Sequence, residues 1–93
     1  MLYMVVERFK AGAAREIYRR FEEQGRMMPD GLEYVSSWIS LDTNTCWQVM
    51  QADNVSLFDQ WMRNWNDLMD FEIIPVQTSA EVKQMMQTLG EVE

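Results

Sequence analysis

The sequence predicts an α+β domain in which a four-stranded antiparallel sheet carries two helices on one face, and three observations predict it. Four short stretches are apolar in the alternating or continuous manner of strands. Two longer stretches between them switch to the helical period. The resulting order is β-α-β-β-α-β around one polar hairpin loop, with a helical tail appended. The 93 residues suit one domain spanning 1–93, with a core at 1–76 and a tail at 78–93.

Residues 2–9 are apolar at nearly every position before Glu7, which suits a central strand covered on both faces. From about Ala13 the stripe Ala14, Ile17, Tyr18, Phe21, Gly25 and Met28 follows helical spacing, and Pro29, Asp30 and Gly31 end that helix. Residues 32–41 alternate again. Tyr34 and Trp38 fall on one face, and Ser37, Ile39 and Leu41 on the other. The turn formers at 42–45 close a hairpin onto residues 46–52. A tight loop would set Leu41 opposite Cys46 and Ile39 opposite Gln48, and would group Trp38 with Trp47 and Val49. Asp53 opens a second helix expected to reach Met69, with Phe58, Trp61 and Trp65 on its apolar face. Residues 71–76 form a fourth strand, and Pro75 marks it as an edge or a strand end. Thr78 and Glu81 make a capping box for a short helix that should stop before Gly90. Two crossovers around a hairpin define the ferredoxin-like arrangement.

Composition excludes much chemistry. There is no His, so no imidazole base, His-ligated metal or His-ligated haem is available. Cys46 is the single cysteine, which precludes an internal disulfide or a thiolate zinc site and fits a reducing compartment. Neither cofactor nor metal is expected. The net charge is −7. Residues 1–28 hold six bases against four acids, whereas residues 29–93 hold two against eleven. Such an acidic surface repels phosphate backbones and anionic lipid, so nucleic acid and membranes are not expected partners. No signal-like or membrane-spanning run is legible, and a cytoplasmic location is expected.

The candidate chemistry lies in isolated polar residues. Glu7 interrupts an apolar strand, and a buried carboxylate is rare unless paired or functional; an Arg of the first helix or of the neighbourhood of Arg8 is its expected partner. Asp67 is a second candidate base, in an acidic group with Asp70 and Glu72. Ser37, Cys46 and Gln48 share a strand face, and Trp65 stands where it could close a pocket over them. Cys46 reads as a small buried residue, since no activating cation is identifiable. Met4, Met50, Met62 and Met69 read as core, while Met27, Met28, Met85 and Met86 read as contacts with a neighbouring element or chain. The opposite face should carry Tyr34, Trp38, Trp47 and Val49, too much exposed apolar surface for a monomer. A homodimer is the expected cover.

Several stretches are also familiar: residues 1–9, Gly25 to Leu32, Ser37-Trp38, Cys46-Trp47-Gln48, Trp65 to Glu72, Pro75-Val76 and Thr78 to Glu81. Together they resemble a family of short bacterial proteins catalogued as a domain of unknown function. That family is similar in architecture to the dimeric α/β-barrel superfamily, whose members pair two ferredoxin-like sheets. The resemblance implies a dimer, and its superfamily includes cofactor-independent monooxygenases and small isomerases. Three roles are therefore set against each other: a module binding a small apolar ligand, an enzyme acting on a small carbonyl or aromatic substrate with Glu7 or Asp67 as base, and a purely structural or regulatory subunit.

Overall fold

The computed structural model describes residues 1–92. The elements are β1 (Leu2–Phe9), α1 (Ala14–Gln24), β2 (Leu32–Ile39), β3 (Thr45–Ala52), α2 (Leu57–Met62), β4 (Met69–Val76) and α3 (Ser79–Val92). All pairings in the four-stranded sheet are antiparallel, in the order β2-β3-β1-β4. This is the ferredoxin-like arrangement, with continuously apolar β1 inside and Pro75 on the edge strand β4.

Register decides which residues meet the helices. Glu7 lies opposite Cys46 on one side and Phe71 on the other, and Val5 lies opposite Gln48 and Ile73. Tyr3, Val5, Leu32, Met50, Ala52 and Met69 therefore share the face covered by Ala13, Ile17, Phe58, Trp61 and Trp65. Edge-to-face ring contacts, Tyr3 to Phe58 at 5.1 Å and Trp61 to Phe71 at 5.3 Å, lock that layer.

Five expectations need correction. The four-residue hairpin loop spans 41–44, one residue earlier than expected. Ser40 and Thr45 close it, through Thr45 N donating to Ser40 Oγ and Ser40 N donating to Thr45 O. Ile39 therefore faces Cys46, Ser37 faces Gln48, and Leu41 is left fully in solvent. A bulge between Tyr34 and Ser36 moves Tyr34 opposite Met50, onto the helix-side face, so it leaves the open-face group. Helix α2 is only six residues long, and Met69 belongs to β4, because residues 63–68 break into turns. Met4 sits on the open face, opposite Val49 and Ile74, instead of in the helix-covered core. Finally, α3 continues through Gly90.

The predicted capping box is present: Glu81 N donates to Thr78 Oγ1 at 3.0 Å and Thr78 N donates to Glu81 Oε1 at 3.5 Å. Helix α3 projects from the sheet with Met85, Met86 and Leu89 exposed. The radius of gyration of 16.1 Å accordingly exceeds the roughly 12 Å expected of a compact chain this long. Gly31 is required at the turn into β2. Its φ is +92°, and an added Cβ would lie 2.9 Å from Leu57 Cδ1.

Candidate functional site

A cavity of about 150 Å³ lies between the sheet and the helices. Its floor is Glu7 from β1 and Cys46 and Gln48 from β3, brought together because alternate strand residues share a face. Ser37 and Ile39 of β2 form one side, and Trp61 and Trp65 form the wall beyond. Tyr18 and Phe21 of α1 are partly exposed and form the rim. The structure thus gathers Glu7, Ser37, Cys46, Gln48 and Trp65 around one space.

Asp67 stands elsewhere. Both its carboxylate oxygens accept hydrogen bonds from Arg20 at 2.9 Å, and the guanidinium holds its carboxyl below the usual range. It is an exposed structural ion-pair partner outside the cavity, which removes it as a candidate base.

Glu7 is buried, and its partner differs from the Arg expected. Gln48 Nε2 donates to Glu7 Oε1 at 2.9 Å, and Gln48 Oε1 in turn accepts from Arg26 Nε at 3.3 Å. The two side chains reach each other diagonally across β1 and β3, a span open to long residues. Burial pushes the Glu7 carboxyl above its ordinary pKa, opposed less strongly by Gln48, the Cys46 thiol and Arg26. The same burial, with Glu7 alongside, pushes the Cys46 thiol well up, so it stays protonated and is a poor nucleophile. The Tyr18 hydroxyl is also raised, chiefly by burial.

Arg26 is the member that the sequence did not reveal. It stands four residues after Glu22, the spacing of a helix-surface ion pair, but α1 ends first. Gly25 takes φ 68° and donates its N–H to Phe21 O at 2.7 Å, turning Arg26 off the helix. The Arg26 carbonyl then accepts from both Trp61 Nε1 at 2.9 Å and Trp65 Nε1 at 3.0 Å. Asn64 Nδ2 holds the next carbonyl, that of Met27, at 3.1 Å. The guanidinium lies 3.8 Å from the Tyr34 ring centroid and 5.0 Å from that of Phe21. Gly25, a glycine at the end of an amphipathic helix, was the available signal. Its consequence for Arg26 depended on indoles nearly forty residues away.

Among the described residues, no group of three or more Cys, Asp or Glu is placed to hold a metal ion. None of the helices is long and apolar enough to cross a membrane. The arrangement offers a small apolar chamber with a buried carboxyl of raised pKa and one cation at its side. It can hold a ring-sized body, accept or donate one proton, and attract one negative charge. No curated protein matches the chain, and no solved structure does. The chain belongs to the DUF3303 family, a domain of unknown function whose family model matches residues 1–90.

Proposed function

We propose that this domain is a homodimeric module that binds a small, mostly apolar molecule between its sheet and its helices. The observation that carries the reading is the buried chain from Glu7 through Gln48 to Arg26 along the wall of an open chamber. Burying polar groups is unfavourable unless they are paired, and a filled hydrocarbon core would serve folding better. Retaining a carboxyl there fits orientation of a ligand. Chambers of this size hold one six-membered ring.

Self-association is supported by the opposite face. Trp38 and Trp47 are directly paired across β2 and β3 and are 57% and 38% exposed, with Val49 and Ile74 on the same face. A two-fold partner presenting the same face would remove that surface from water. A reducing, cytosolic setting suits the lone buried thiol.

A second reading is favoured by one feature. Glu7 is a buried carboxyl with raised pKa at the chamber floor, which suits a general base for proton abstraction next to a carbonyl. On this reading Glu7→Gln abolishes turnover and preserves the fold.

Binding is tested by titrating the unmodified protein with toluene while following intrinsic tryptophan fluorescence, alongside Ser37→Leu, which places a larger side chain into the chamber. Saturable change in the unmodified protein and its loss in Ser37→Leu support the reading. No saturable response, or an equal one in the variant, contradicts it.

A further inference from the structure

The geometry points to Arg26 as an anion-recognising residue: we infer that the chamber takes small carboxylic acids with a ring or branched hydrocarbon body, their carboxylate paired with the Arg26 guanidinium. The inference rests on the chamber being a ligand site and specifies the class of ligand.

Three observations carry it. Arg26 is held in place twice, by the two indoles on its carbonyl and by the Phe21 and Tyr34 rings against its guanidinium. Such a pre-positioned fork loses little freedom on binding a planar carboxylate. Only its Nε is used, toward Gln48. Among the described residues, no carboxylate lies within ion-pair distance of Arg26, and its two terminal nitrogens make no hydrogen bond. Arg19 and Arg20, by contrast, are both committed to acids. An arginine left with its bidentate edge free beside an apolar chamber, in a chain of net charge −7, is the local exception to a repulsive field.

The ligand class follows. One cation matches one negative charge; a phosphate monoester would bring nearly two charges into a chamber with a second acid in its floor. The apolar remainder would rest against Trp61, Trp65, Ile17 and Met69. Glu7 is faced by the Cys46 thiol and Gln48 amide of β3, Phe71 of β4, the Tyr18 hydroxyl of α1 and Arg26. None of the first four supplies positive charge. A bound anion therefore favours the protonated form of Glu7, and binding should take up a proton.

The test compares phenylacetate with its neutral isostere phenylacetamide by calorimetry on the full chain, in buffers of differing ionisation enthalpy. The unmodified protein is expected to bind the acid roughly tenfold or more tightly than the amide. Arg26→Gln should erase that preference, and Arg26→Lys should keep part of it. The Arg26 carbonyl that holds the indoles survives both substitutions. Equal binding of acid and amide by the unmodified protein overturns the inference and leaves the chamber as a neutral-ligand site. Binding of neither compound overturns the inference and the ligand-site reading together. A preference for the acid that persists in Arg26→Gln assigns recognition elsewhere and also overturns it.

Discussion

Replacing Glu7 with Gln should stabilise the protein at alkaline pH. Glu7 is 5% exposed, its Oε1 accepts one hydrogen bond from a neutral amide at 2.9 Å, and no cation bonds it directly, Arg26 offsetting its burial only weakly from behind Gln48. A buried acceptor without adequate partners costs about 1–3 kcal/mol, and more when it is charged. Gln keeps the shape and the Gln48 hydrogen bond without the charge, so the variant should gain about 1–3 kcal/mol at pH 8. Because burial raises the native carboxyl above 4.5, the folded state holds a proton where the unfolded chain has released it. The contribution of this group to stability is complete below about pH 4.5 and is lost as pH rises through the native value. The advantage of Glu7→Gln should therefore open with rising pH and close under acid. Urea unfolding followed by tryptophan fluorescence at pH 5 and pH 8, at one fixed protomer concentration, measures it. In thermal terms each kcal/mol shifts the midpoint by about 4–8 °C for a domain this size. A gap of equal size at both pH values, or a variant less stable at pH 8, would refute the reasoning.

Other outcomes follow from the same structure. If the proposed homodimer pairs through the exposed sheet face, the unmodified protein sediments as a dimer and Trp38→Asp weakens its association by about 2 kcal/mol or more, seen as loss of dimer or as aggregation; a monomeric unmodified protein, or a variant that stays a dimer, would contradict this. Gly31→Ala should cost about 1–3 kcal/mol in urea unfolding, since φ is +92° and the new Cβ meets Leu57; a neutral result would mean that the turn relaxes freely. Asp67→Asn removes an exposed ion pair with Arg20 and should leave the unfolding midpoint and probe binding nearly unchanged; loss of binding would return Asp67 to the site.

Much of this was legible in sequence because it rests on local periodicity. The central strand β1, the Pro-marked edge strand and the capping box at Thr78 each follow from residue type at fixed spacing. So does the shared face of Glu7, Cys46 and Gln48, once two strands are aligned in the right parity. The hairpin register missed by two residues, which preserves parity, and Ser37 and Ile39 therefore still joined the chamber. Tyr34 was misplaced because one bulged residue inverts everything beyond it, and nothing in Tyr34-Val35-Ser36 marks a bulge. Helix α2 was overextended because Trp61 and Trp65 keep helical spacing even though residues 63–68 turn away; their indoles converge on one carbonyl instead. Arg26 is hidden for a related reason, since the indoles and the Gln48 amide that hold it are distant in sequence.

The four tryptophans provide an internal control for the central claim that the chamber is the ligand site. Trp61 and Trp65 line it, whereas Trp38 and Trp47 lie on the opposite face of the sheet. The decisive measurement is a nitrogen–proton correlation spectrum of the four indole N–H groups during titration with phenylacetate. The account predicts progressive, saturable shifts of the Trp61 and Trp65 signals while those of Trp38 and Trp47 stay fixed. Stationary Trp61 and Trp65 signals, or movement confined to Trp38 and Trp47, would contradict it.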